Sequence, residues 1–228
     1  MSEQTALTTT RTAGLLACGV VAGPLFLTVW LVQALTREGF DLTRHPLSLL
    51  SLGDLGWIQI AGFVVSGLLF MAFAGGLRRA LYPGRVAAWG PALIAVNGIG
   101  LIMAGVFTTD AGAGFPPGAP AGAPPHVTWH GVLHEVGFLV ASLSWIAACF
   151  ALARRFTALG RRARAATCGA APIAVLAVVA WPDLDSLSVR LVVGSAIQFA
   201  FTAALAVWMM RPSPPAAPTT TGATRIRR

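Results

Sequence analysis

Six stretches of this polypeptide run for roughly 20 residues each with almost no charge, at 12–35, 57–77, 86–107, 130–153, 165–181 and 190–210. Crossing about 30 Å of hydrocarbon at about 1.5 Å per residue takes about 20 apolar residues, so each stretch has the length of one membrane passage. In lipid the backbone must satisfy its own polar groups, which makes each passage a helix. The expected fold is an all-α integral membrane protein, a bundle of six transmembrane helices. Composition agrees: 56% of residues are hydrophobic and 11% are charged, against about 25% charged in a soluble domain. The fourth stretch carries the pair His134 and Glu135, and the fifth contains Pro172 and stops at Trp181-Pro182.

Arginine fixes the expected orientation. Arg11, the loop residues Arg78, Arg79, Arg85, Arg154, Arg155, Arg161, Arg162 and Arg164, and Arg211, Arg225, Arg227 and Arg228 fall on one side, leaving Arg37, Arg44 and Arg190 for the other. The positive-inside bias then puts both termini in the cytoplasm. Seven of eight carboxylates, Glu38, Asp41, Asp54, Asp110, Glu135, Asp183 and Asp185, gather on the opposite face, with Glu3 inside. Trp30, Trp57, Trp129 and Trp181 fall at the outer headgroup level and Trp89 and Trp208 at the inner one, while Trp145 sits deep.

The net charge of +8 does not indicate a nucleic-acid partner, because the basic residues lie in short segments between spans. Membrane lipids are the expected partners, with anionic headgroups at the arginine-rich inner face. Residues 1–11 form a cytoplasmic N-terminus, 12–210 the membrane domain, and 211–228 a basic tail without apolar periodicity, expected to be disordered. The first stretch is too long for a signal h-region and remains a span. Cys18, Cys149 and Cys168 lie inside apolar segments, where they read as small packing residues rather than a disulfide framework. Gly19 and Gly23, four apart in the first span, allow close helix approach, expected within the bundle rather than between copies.

Two outer loops hold most of the remaining chemistry. In the first, Pro46 followed by Leu47, Leu49, Leu50 and Leu52 suggests a short helix lying in the interface as a rim over the bundle. The second, 108–129, has five prolines between Pro116 and Pro125 and reads as a stiff extended strap. His126, His130 and His134 recur every four residues, so a helix starting just after Pro125 would carry all three on one face, with Glu135 beside them and Asp110 across the loop.

Two imidazoles one turn apart can hold a transition metal such as zinc, with Asp110, Glu135 or Asp41 as a further ligand or general base acting on a lipid-like substrate. His126 is a third possible ligand. No Glu follows the first His, however, as a His-Glu-x-x-His protease requires. The plainer reading is a set of rim hydrogen bonds and ion pairs with Arg37, Arg44 and Arg190. Ionisable groups at membrane depth also mark transport paths, here between spans three and four. Asn97, Gln198 and Ser66 are expected to hydrogen-bond between helices. Asp183 and Asp185 flank a tight turn, with local pairing to Arg190 as the default.

The run His45-Pro-Leu-Ser-Leu-Leu-Ser-Leu-Gly53, Gly56-Trp-Ile-Gln59, Gly105-Val-Phe-Thr-Thr-Asp110 and Gly114-Phe-Pro-Pro-Gly118 resemble an uncharacterised bacterial membrane family, domain of unknown function 998, over roughly residues 12–210. The resemblance implies six helices in a bacterial cytoplasmic membrane and no particular activity. That family often has Asp-Pro after the third span, whereas Ala111 follows Asp110 here. A looser similarity to ceramidase-like membrane hydrolases would match Ser66, Asp110, His130 and His134, in a different helix order. The expected function is a non-enzymatic scaffold or accessory membrane protein with a polar outer cap; the alternatives are the metal-dependent hydrolase and a small transporter.

Overall fold

The structure, a computed structural model, describes residues 3–82, 86–182 and 186–211. Arg85, Asp183, Asp185 and the tail, with Arg225, Arg227 and Arg228, lie outside the described residues. Six helices follow one another: α1 (Glu3–Thr36), α2 (Gly56–Leu81), α3 (Val86–Val106), α4 (Trp129–Ala158), α5 (Arg162–Val179) and α6 (Leu187–Met210). All six contain segments long and apolar enough to cross a membrane. The expected spans are thus present, with α4 continuing past Arg154 and Arg155 by a further turn.

Each helix packs on its chain neighbours, and α6 returns to α1, so the six close into a ring. Lipid offers no hydrophobic drive between helices, which makes close backbone approach the source of cohesion. Glycine supplies it. A Cβ on Gly67 would stand 2.5 Å from the Gly98 carbonyl, joining α2 to α3. One on Gly100 would lie 2.5 Å from the Ala141 nitrogen, and one on Gly137 would lie 2.7 Å from the Ala104 nitrogen, locking α3 to α4. Gly19 receives the Phe73 ring of α2 and Gly23 the Phe199 side chain of α6, so that pair works inside the bundle, as expected.

We call the end holding 37–55 and 107–128 the cap end, and the other the arginine end. Toward the arginine end Leu77, Leu81, Leu152, Phe156, Cys168 and Leu205 are buried. Trp145 closes the middle edge-on against Phe201, 5.8 Å between ring centres. Trp57, Trp89, Trp129 and Trp181 stand exposed on the helix surface, consistent with headgroup belts, whereas Trp30 is drawn partly into the cap.

The cap departs from expectation in two ways. Residues Leu47–Ser51 form a 3-10 turn, but Leu49 and Leu50 are buried against Ala34 and Phe115 instead of facing the interface. The proline-rich segment is no extended strap. Its backbone folds on itself through Ala113 N–H to Gly122 O (2.7 Å) and Gly114 N–H to Pro120 O (2.8 Å). Gly114 and Gly118 take positive φ of 89° and 93°, which turns the chain where prolines alone would extend it. The folded loop presents Phe115, fully buried, as the plug of the cap.

Candidate functional site

Helix α4 begins at Trp129, not after Pro125, because Thr128 is its N-cap: the Thr128 hydroxyl accepts from Gly131 N–H at 3.1 Å. His126 therefore lies outside the helix, exposed, and does not join His130 and His134. Asp110 completes the cap. Its Oδ1 accepts from the Thr128 hydroxyl at 2.5 Å and its Oδ2 from Thr128 N–H at 3.0 Å. Gly131 makes room, since a Cβ there would stand 2.2 Å from Asp110 Oδ2. These bonds, first the Thr128 hydroxyl, with His130 and His134 nearby, hold the Asp110 carboxyl below the ordinary carboxylate range.

The two helical histidines serve the other side of the same joint. A carbonyl only accepts, so His130 Nδ1–H donates to Thr108 O at 2.9 Å, and His134 Nδ1–H donates to Ala104 O at 2.8 Å and Phe107 O at 3.1 Å. Those carbonyls belong to the end of α3 and the residues after it, where the helix leaves acceptors unsatisfied. Imidazole thus closes the C-terminal end of α3 while carboxylate closes the N-terminal end of α4, each matching the local dipole. The sequence expected these residues to pair with Arg37, Arg44 and Arg190; Asp110, His130 and His134 bond instead to Thr128 and to the carbonyls of Thr108, Ala104 and Phe107. Arg37 donates to Leu50 O and Leu52 O, and Arg44 to Ala121 O. Arg190 donates to Val179 O and Trp181 O.

Among the described residues, no three His, Cys, Asp or Glu side chains stand together as a metal-binding group. His130 and His134 each retain Nε2. Glu135 is exposed and makes no hydrogen bond or ion pair among the described residues. Asp41 bonds locally to Thr43 N–H and hydroxyl at 2.8 and 2.6 Å. Ser66 is fully buried and its hydroxyl has no partner among the described residues, against the expected interhelical bond. Asn97 does bond across, to Ala141 O at 2.8 Å.

Two features had no clear signal in the sequence. One is His45, whose Nδ1 accepts from Asp41 N–H at 2.9 Å, which leaves the proton on Nε2 to donate to Ala113 O at 2.9 Å. Both ring nitrogens are engaged, and the imidazole ties the first loop to the second. Ser188 of α6 adds a bond to His45 O at 2.5 Å.

The other is a cavity of about 850 Å³ beneath the cap, lined by residues of all six helices and both loops. Its walls are mostly apolar, including Phe26, Phe63, Phe138, Val175, Leu191 and Phe199; Asp110, His134 and Glu135 lie at the cap end. Gln198, expected to bond between helices, lines it too. The tilt of α5 creates the space. Near the arginine end its Cys168 is buried beside Cys149 of α4. Near the cap end its Val175 and Val179 lie against Gly194 of α6. Helix α5 thus leaves α4 as it rises, and the cavity fills the wedge, with exposed Glu135, Phe138 and Leu176 at its edge. Spans three and four are in close backbone contact at Gly100 and Gly137.

A ring of six apolar helices with a capped cavity defines a multi-pass membrane protein. The chain belongs to the family described as protein of unknown function (DUF998), whose profile matches residues 20–212. No curated protein and no solved structure matches it.

Proposed function

We propose that this protein is a non-enzymatic accessory protein of the bacterial cytoplasmic membrane that holds one lipid-like amphiphile in the wedge between α4, α5 and α6, its cap facing outward. The cavity carries this reading. Its α4 wall runs from Gly131 to Ile146, a length of about 22 Å at about 1.5 Å per residue. Half of an about 30 Å core plus one headgroup layer is about 21 Å, so the slot has the depth of one leaflet. Mostly apolar walls with a few polar groups at one end suit a molecule with one chain and one head. The histidines and Asp110 support the same reading, because each is engaged in joining α3 to α4.

Native mass spectrometry of protein released gently from membranes tests the proposal. Wild type should carry one amphiphile per chain, and Ser142→Trp, which places a large ring in the cavity, should lose it while keeping its helical content. An empty wild type, or a Trp variant that retains the molecule, would overturn the reading. Metal content of the same samples bears on the hydrolase alternative. One transition metal per chain, lost in both His130→Ala and His134→Ala, would replace the accessory role with metal chemistry.

A further inference from the structure

We infer that the molecule held in the wedge bears a protonated amine as its head. This rests on the amphiphile-binding reading and adds the chemistry of the ligand's polar end. The residues lining the cavity include two carboxyl groups, Asp110 and Glu135, and neither lysine nor arginine. The polar groups at the cap end are chiefly acceptors. Asp110 uses one site on each oxygen for Thr128, and a carboxylate has about four lone-pair sites, so acceptor capacity remains. His134 turns its Nδ1–H to the carbonyls of α3, so in the neutral form of the ring Nε2 is an acceptor. Glu135, without a partner among the described residues, stands at the mouth of the wedge.

The nearby cations are directed elsewhere. Arg44 holds the Ala121 carbonyl from the exposed side of the loop, and Arg37 is bound to the carbonyls of Leu50 and Leu52. A phosphate or sulfate head would therefore meet carboxylates without a lining cation, at a partly desolvated site where like charges repel. An ammonium head would meet two opposite charges and could donate three hydrogen bonds. A hydroxyl head could donate as well, but without the charge term. The same arrangement places the alkyl chain along Phe138, Leu191 and Phe199, toward the bilayer middle.

The test uses full-length protein in nanodiscs of zwitterionic lipid and displacement of a fluorescent fatty-chain probe by hexadecylamine, hexadecanol and hexadecyl sulfate. Hexadecylamine should displace the probe at concentrations at least fivefold lower than hexadecanol, with the sulfate weakest, and Glu135→Gln should erase most of the advantage. Glu135 is exposed, so the variant should fold; Asp110→Asn, which keeps the shape of the capping group, serves as a second variant. Equal displacement by all three heads, or preference for the sulfate, would overturn the amine head and leave the chain-binding reading standing. If the probe does not bind, or none of the three displaces it, both readings fall.

Discussion

Thr128 and Asp110 show how much of the site rests on one hydrogen-bonded pair. Removing an N-cap hydroxyl costs about 1 kcal/mol, and Thr128→Ala also takes a bond from Asp110. Thermal unfolding in detergent should show Thr128→Ala destabilised by roughly that amount, with Thr128→Ser close to wild type. An unchanged melting temperature in the Ala variant would remove the cap from the account. Acid should act on the same pair. The Asp110 carboxyl titrates below its unfolded range, so its contribution is present above that range and is lost as pH falls through the lower, folded value. Wild type should therefore lose cap stability on acidification. Asp110→Asn should flatten the acidic part of the profile; a profile parallel to wild type would contradict this assignment.

Helices α3 and α4 are joined by glycine, and their separation has no slack. Gly137→Val would place a branched side chain where a Cβ alone comes within 2.7 Å of backbone, and overpacking of this kind costs about 1–3 kcal/mol. Its melting temperature should fall, while Gly169→Ala, with open space around it, should stay near wild type. Equal melting temperatures for Gly137→Val and wild type would show that the helices are free to separate. The spans were legible in the sequence because lipid leaves a long apolar run no alternative to helix. The exclusion of His126 from α4 was not, since the Thr128 cap that ends the helix there is completed by Asp110, 18 positions before it and outside any local pattern. The proline-rich loop misled for a related reason. Its prolines favour extension one by one, but backbone bonds from Ala113 and Gly114 across the loop determine its shape.

For the molecule as a whole, the six runs and the arginine asymmetry were readable because they are sums over many residues. The cavity was not, because it depends on the tilt of α5, and nothing periodic in Val175, Leu176 or Val179 records a tilt. Orientation in the membrane is directly measurable. Cys149 and Cys168 are fully buried and Cys18 is partly exposed, so with Cys18 replaced by Ser little background remains for thiol labelling. In whole cells a membrane-impermeant maleimide should label Ala123→Cys in the exposed cap loop and spare Leu159→Cys at the opposite end. The reverse pattern would invert the protein and place the cavity in the cytoplasmic leaflet.

His45, Ser188 and Arg44 stitch the two loops and α6 into a single cover. On the proposed reading, a guest beneath this cover reaches the wedge through the bilayer. Occupancy then follows how strongly a guest partitions into the bilayer rather than how much of it is dissolved around the cell, and a scarce but very oily compound can outcompete an abundant soluble one.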